Sequence, residues 1–305
     1  MKANSALPTP KILPSYLSSR LVVYIRNYRV LDWRAYVGMA TFGFAQGLGV
    51  FVAQDSIHVF LRFMATVFLY LAFSFSINNC FDAGCDALRE EKLAKNPLAA
   101  GLVGFREGLA LSLCAAIAGL SLVYLWFGGC LLTYLSLTLL AGAYSMPPLR
   151  LKSVPLVDLV SHGLFFGALL YLYGYGASAS GGLGPEAVLM GASTFIYSTT
   201  LELRNHLDDL QTDISSGERT TACWLGHRRS VGLLKTLLLF HWMFLAGVSF
   251  AVRASFVVPF IAIAALIGSK RLKLSRYLRL ADACTCAVYL AFLLENSTWL
   301  SVRGM

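Results

Sequence analysis

Two segments of this chain carry the same arrangement of amide and carboxylate side chains. Asn78, Asp82 and Asp86 are spaced four residues apart, and Asn205, Asp209 and Asp213 repeat that spacing. On a helix a four-residue step advances only about 40°, so each trio shares one face, and Asp208 falls off the second. Helix capping and solvated loop charge is the ordinary reading of one such trio, but the repeat argues against it for two. Four carboxylates turned towards one cavity repel strongly where the dielectric is low. Hard cations relieve that repulsion. Mg²⁺ takes oxygen from a few carboxylates and keeps positions for phosphate oxygens. The spacing therefore points to Asp82, Asp86, Asp209 and Asp213 as holders of Mg²⁺, which in turn holds a diphosphate. A third segment runs from Tyr144 to Lys152 and contains Pro147 and Pro148. The prolines end a helix and fix a turn that can present Arg150 and Lys152 to an anion, with the Tyr144 hydroxyl just inside as a donor. An ordinary basic turn between two spans reads the same way when taken alone.

These groups need elements that hold them at one depth. The chain is 57% hydrophobic and only 13% charged, with a mean hydropathy of +0.65 over 305 residues. Soluble domains carry roughly twice that share of charge. Apolar runs near 36–54, 58–80, 107–127, 129–146, 155–177, 187–205, 230–251, 254–269 and 280–299 are long enough to cross a bilayer. The Gly128–Gly129 pair separates the third and fourth runs. This predicts an all-α integral membrane protein of about nine transmembrane helices. With the N-terminus inside, all of the 25 Lys and Arg residues except Arg62, Arg253 and Arg303 fall on the inner side. That bias predicts a cytoplasmic N-terminus, an outer C-terminus and both aspartate clusters at the cytoplasmic edge. The formal charge of +9 is thereby explained by topology and anionic headgroups, with no need for nucleic acid.

Residues 1–33 read as a cytoplasmic interfacial segment ahead of a single transmembrane domain, 34–305. Arg20, Arg26 and Arg29 interrupt any signal-like apolar core, and Leu17, Leu21 and Ile25 recur every four residues. The seven cysteines show no metal-ligand spacing and read as small packing residues. His162 follows Asp158 by four residues, which predicts a structural pair. His206 points away from the Asn205–Asp209 stripe. Gly163 and Gly167 are spaced for close helix packing.

The three polar segments together resemble the UbiA family of membrane prenyltransferases. Asn78-x-x-x-Asp82-x-x-x-Asp86, followed by Asn96-Pro97-Leu98-Ala99-Ala100-Gly101, is similar to the family's first aspartate motif and its trailing loop. Tyr144 to Lys152 is similar to its Tyr-Ser-x-Pro-Pro-x-Arg-x-Lys stretch. Asn205 to Asp213, continued by Gly217-Glu-Arg-Thr220, is similar to its second motif and looks most like the menaquinone-pathway branch. Two departures are Asn96 before Pro97, where many members have Arg, and Asn79, where many have Asp.

The resemblance implies a helical bundle of two pseudo-related halves around a central cavity. It also implies transfer of a prenyl group from its diphosphate to a lipophilic acceptor, a quinone-precursor aromatic or a lipid alcohol. On this reading Asp82, Asp86, Asp209 and Asp213 ligate Mg²⁺ and are catalytic. Asn78, Asn205, Lys92, Lys152, Arg89, Arg150 and Tyr144 bind the diphosphate. The allylic cation needs shielding, for which Phe73, Phe75, Phe81, Phe165, Phe166, Tyr171 and Phe195 are available. The partners implied are the donor, the acceptor and membrane lipids, and no obligate protein partner is evident. A multi-span transporter with an intramembrane ion site is the rival reading, and it predicts carboxylates near the bilayer midplane.

Overall fold

The computed structural model describes residues 20–48, 56–179, 182–251 and 272–303, with isolated positions between 260 and 267. Every regular element among them is helical. In chain order these are α1 (Arg20–Asn27), α2 (Arg34–Leu48), α3 (Ser56–Asp86), α4 (Glu90–Lys95), α5 (Phe105–Trp126) and α6 (Leu131–Ser145). Then come α7 (Val157–His162), a π-helical segment (Gly163–Ala168) and α8 (Leu169–Ser178), which run on as one rod. The chain continues through α9 (Pro185–Ser216), α10 (Thr221–Leu225), α11 (His227–Ala251) and α12 (Leu274–Arg303).

Eight of the nine expected spans coincide with described helices, and the remaining one, 254–269, lies largely outside the described residues. Six helices among the described residues are long and apolar enough to cross a membrane. The protein is a multi-pass membrane protein. Its third and fourth runs are separate helices, because α5 stops at Trp126 and a 3-10 turn, Gly128–Cys130, intervenes before α6.

The two helices that carry the aspartate motifs are the longest. α3 has 31 residues and α9 has 32, so each is about 46–48 Å long. A hydrocarbon core is about 30 Å thick. Each helix exceeds that thickness, and Asp82, Asp86, Asp209 and Asp213 all lie in the C-terminal turns. α9 ends where Gly217 takes a left-handed conformation (φ 75°) and its N–H bonds back to Ile214.

Burial is divided between two apolar cores. One is built around Phe44, Phe63, Leu71, Ile77, Leu137 and Phe165; the other around Leu203, Leu234, Leu238, Trp242, Leu245 and Val288. The cavity is walled by residues of the first core, among them Tyr36, Phe75, Phe165 and Phe166, and by the C-terminal part of α9. α9 crosses close to the π segment because a Cβ at Gly163 would stand 2.3 Å from the Thr199 hydroxyl, and one at Gly167 would stand 2.5 Å from the Thr194 carbonyl. The expected close packing at these glycines is thus present, against an α9 face of buried Thr194, Ser198 and Thr199. On the opposite side α2 lies backbone to backbone on α8.

α1 lies over the ends of α3 and α5. Asn79, fully buried, donates to the Asn27 carbonyl at 2.9 Å and to its side chain at 3.1 Å. Arg26 donates to the Leu93 carbonyl at 2.8 Å, and Arg20 pairs with Glu107 at 2.9 Å. Leu21 and Ile25 stay exposed on its other face, and residues 1–19 lie outside the described residues. Asn79 therefore ties α1 to α3 and does not face the cavity.

The α2–α8 contact yields a paired expectation. A Cβ at Gly43 would meet the Tyr171 carbonyl oxygen at 2.1 Å, whereas one at Gly38 meets nothing within 4 Å. Gly43→Ala should cost about 1–3 kcal/mol through overpacking. Gly38→Ala should leave stability unchanged or raise it by up to about 1 kcal/mol. Thermal unfolding of the two purified variants checks the contrast.

Candidate active site

The C-terminal parts of α3 and α9 bring both trios to one cavity of about 700 Å³. Asn78, Asp82, Asp86, Asn205, Asp209 and Asp213 all line it, as do Arg89, Lys92, Tyr144 and Lys152. Of the expected metal- and diphosphate-binding residues only Arg150 is not on its wall. Arg150 sits behind Asp82, its guanidinium 3.3 Å from that carboxylate and 2.5 Å from Glu218. Ser153 also donates to Glu218, at 2.7 Å. Burial alone would raise the Glu218 carboxyl, but the bonds from Ser153 and Arg150 hold it below the ordinary range.

The basic partners cross between the motifs. Arg89 and Lys92, which follow the first motif, both bind Asp209 of the second, Lys92 at 2.7 Å. Lys152, after α6, binds Asp82 of the first. Each leading aspartate is thus countered by cations from another part of the chain. Asp86 is held differently. Asn96, 1% exposed, donates one amide N–H to Asp86 at 2.9 Å and one to the Asn79 carbonyl at 3.0 Å. Its own carbonyl accepts from Leu98 and Ala99, which fixes the loop turn. The departure at Asn96 is therefore a support for the first motif.

Asp213 has only a long contact, 3.5 Å, with the Thr220 hydroxyl. It lies beyond the apolar length of α9, where burial and the nearby Asp209 push its carboxyl up to about 6. Negative charge there is in excess, and a cation would relieve it. Among the described residues no three His, Cys, Asp or Glu side chains are arranged to hold a metal ion by themselves. Mg²⁺ bridged to a diphosphate needs only one or two protein carboxylates, so the donor set fits a metal shared with a phosphorylated ligand.

Deeper in the cavity the wall changes character. Tyr36, Phe75, Phe165 and Phe166 line it, with Tyr36 stacked on Phe166 at 4.0 Å. The π segment turns two successive residues, Phe165 and Phe166, towards the same space, a use for such a bulge at a ligand site. Phe73, Phe81, Tyr171 and Phe195 do not reach the cavity wall.

One carboxylate at that depth was not among the expected site residues. Glu202, 8% exposed, lines the cavity between Tyr144, Asn205, His162 and His206. The Tyr144 hydroxyl donates to it, as does Asn205 at 3.0 Å. His162 Nε2 lies 3.2 Å away and His206 Nε2 3.1 Å. The expected Asp158–His162 pair does not form. Asp158 instead accepts from the backbone and hydroxyl of Thr221 at the start of α10, because that buried helix end supplies unpaired donors. His206, expected to point away from the Asn205–Asp209 stripe, lines the same cavity one turn after Glu202. The available signal was a glutamate inside the run 187–205, one helical turn before Asn205.

The sequence profile of the UbiA prenyltransferase family matches residues 36–295. The chain belongs to that family. Among its relatives, the lycopene elongase/hydratase of Halobacterium salinarum is 26% identical over 253 residues, 80% of this chain and 84% of that protein. The 2-acylphloroglucinol 4-prenyltransferase of Humulus lupulus is 30% identical over 182 residues, 58% of this chain and 43% of that protein. Among solved structures, a UbiA homolog from Archaeoglobus fulgidus bound to GPP and Mg²⁺ superposes with a TM-score of 0.69 at 20% identity, covering 90% of this chain and 99% of that one. At that identity the match speaks for the fold. The family fold agrees with the two-core helical bundle described above.

The Asn96 support gives a direct test. Asn96→Ala leaves Asp86 and the Asn79 carbonyl without a buried donor, which should cost about 1–3 kcal/mol. The shift in denaturation midpoint measures it, and a midpoint equal to wild type would show that Asn96 does not hold the motif.

Proposed function

We propose that this chain transfers a prenyl group from a prenyl diphosphate to a lipophilic acceptor within the membrane, with Mg²⁺ as cofactor. The observation that carries the reading is one cavity with two chemically opposite ends. Its edge gathers Asp82, Asp86, Asp209 and Asp213 with Lys92, Lys152 and Arg89. Its depth is aromatic. That polarity matches a molecule with a highly charged head and an apolar body, and family membership supports it.

Mg²⁺ held by the four aspartates would neutralise the diphosphate as the allylic C–O bond breaks. Lys92, Lys152 and Arg89, already on the cavity wall, can turn from Asp209 and Asp82 to phosphate oxygens. Asn78 and Asn205 orient the head group, and Arg150 keeps Asp82 in place from behind. The Tyr144 hydroxyl is committed to Glu202, so it takes no part in holding the diphosphate on this reading. Phe75, Phe165, Phe166 and Tyr36 exclude water and offer π faces to the cation.

The lysine and arginine distribution supports a cytoplasmic active site, a cytoplasmic N-terminus and an outer C-terminus. The exposed Leu21 and Ile25 of α1 suit an interfacial segment before a single membrane domain, 34–305. The acceptor is a lipophilic molecule, and the named relatives act on quite different ones. Transport fits poorly, because the carboxylates stand at the helix ends beside basic partners and not at mid-depth.

Turnover of geranylgeranyl diphosphate by the purified protein tests the proposal, with a lipid extract supplying acceptors. Diphosphate release should require Mg²⁺ and fall by roughly 10²-fold or more in Asp82→Ala. Release that ignores Mg²⁺ and the substitution, or no release from any donor length, would sink the reading.

A further inference from the structure

The Glu202 carboxylate has no part in holding metal or diphosphate, yet it lines the same cavity. It stands seven residues before Asp209 on α9, so it lies about 10 Å deeper along the helix. Phe75 stands seven residues before Asp82 on α3, at the matching depth. Between them lie Tyr36 and Phe166, with Tyr36 5.8 Å and Phe166 5.9 Å from the Phe75 ring centre. A donor whose diphosphate is at the aspartates sends its reactive carbon towards this group of rings and Glu202.

A carboxylate in an apolar space is costly unless its charge is hydrogen-bonded or paired. Here Tyr144 and Asn205 donate to it, and a histidine nitrogen stands within 3.2 Å of each oxygen. Oε1 faces the Tyr144 hydroxyl and His206 Nε2, and Oε2 faces Asn205 Nδ2 and His162 Nε2. These four partners come from α6, α7 and α9, so the charge is held from both halves of the bundle. They also crowd both oxygens, the atoms with which a carboxylate would bind a metal or attack carbon. What remains available to a ligand is a fixed negative charge.

Resting on the prenyl-transfer reading, we propose that Glu202 is a further catalytic residue, a fixed counter-charge that stabilises the allylic cation opposite the aromatic rings. When the C–O bond breaks, its electron pair leaves with the diphosphate and positive charge develops on the prenyl carbons. Glu202 lies on the side of that charge away from the departing diphosphate. It favours the cation electrostatically without forming an ester with it, because protein groups stand against both of its oxygens. The acceptor's electron pair then closes on the prenyl carbon, and the proton it loses passes to the released diphosphate.

The test separates ionisation from binding, using the full chain in detergent. Donor labelled with ¹⁸O at the bridging position scrambles the label into the non-bridging positions whenever the C–O bond breaks and re-forms, with no acceptor present. Binding is read separately with a non-reactive thiodiphosphate analogue and Mg²⁺. In Glu202→Gln scrambling should fall by roughly 10²–10³-fold, as for loss of a preorganised charge, with analogue affinity within about threefold of wild type. Glu202→Asp, which keeps the charge, should lie between the two. Scrambling by Glu202→Gln at the wild-type rate, a Glu202→Asp as slow as Glu202→Gln, or a loss confined to analogue affinity overturns the proposal.

Should Glu202→Gln fail to fold, wild type alone decides. With inorganic diphosphate and Mg²⁺ present, a prenyl ammonium should bind at least about tenfold more tightly than the prenyl alcohol of the same length, and equal affinities overturn the proposal. Wild type that binds donor but neither scrambles nor releases diphosphate overturns the prenyl-transfer reading and this one together. Wild type that scrambles beside an unimpaired Glu202→Gln overturns only this one.

Discussion

Four aspartates at one end of a membrane-embedded cavity repel one another, and much of the surrounding structure answers that repulsion. Asp82 is met by Lys152 and Arg150, and Asp209 by Arg89 and Lys92. Because the cations that answer one motif come from segments far from it in sequence, the ion pairs also fasten the two halves together. The loop from Asp86 to Pro97 is drawn over the cavity by this pairing and pinned from outside by Arg26 on the Leu93 carbonyl. Isolated surface pairs contribute little to stability. These are only about a quarter exposed and converge on a shared space, so they act chiefly to fix geometry.

The same pairs make the site responsive to a charged ligand. A lysine bonded to an aspartate is already positioned beside the place where that aspartate would hold a metal. A divalent cation on the carboxylate would free the ammonium for a neighbouring phosphate oxygen. Little backbone movement is needed for this exchange. Asp86 and Asp213 lack such partners: one is held by an amide and the other has only a distant hydroxyl. The leading aspartate of each motif is therefore compensated by protein charge, and the trailing one is left to whatever cation arrives.

Much of this arrangement was legible in the sequence, because helix periodicity converts a four-residue spacing into a common face without further information. Both trios reached the cavity for that reason, and Lys92, Lys152, Arg89 and Tyr144 reached it as the turns before and after them required. The split at Gly128–Gly129 was legible for the same local reason. What could not be read were contacts set by tertiary packing. Asp158 and His162 satisfied the spacing rule, yet the nearer donors came from Thr221, 63 residues away. Asn96 looked like a departure from a familiar pattern, and only the fold shows its amide against Asp86. Glu202 follows a three-residue step from Asn205 and not a four-residue one, so a search for the repeated spacing passed over it.

The shape of the cavity then depends on small residues more than on large ones. α9 must carry its polar face up to the aromatic rings of the π segment, and any side chain at Gly163 or Gly167 would push it away. With glycine there, Thr194 and Thr199 meet the backbone of the neighbouring rod directly. That closeness brings His162 within reach of Glu202, and with it one of the four partners that hold the buried carboxylate. The glycine pair of one helix and the buried charge of the next are thus parts of one constraint. The helices approach closely enough for protein groups to stand against both oxygens of the buried carboxylate.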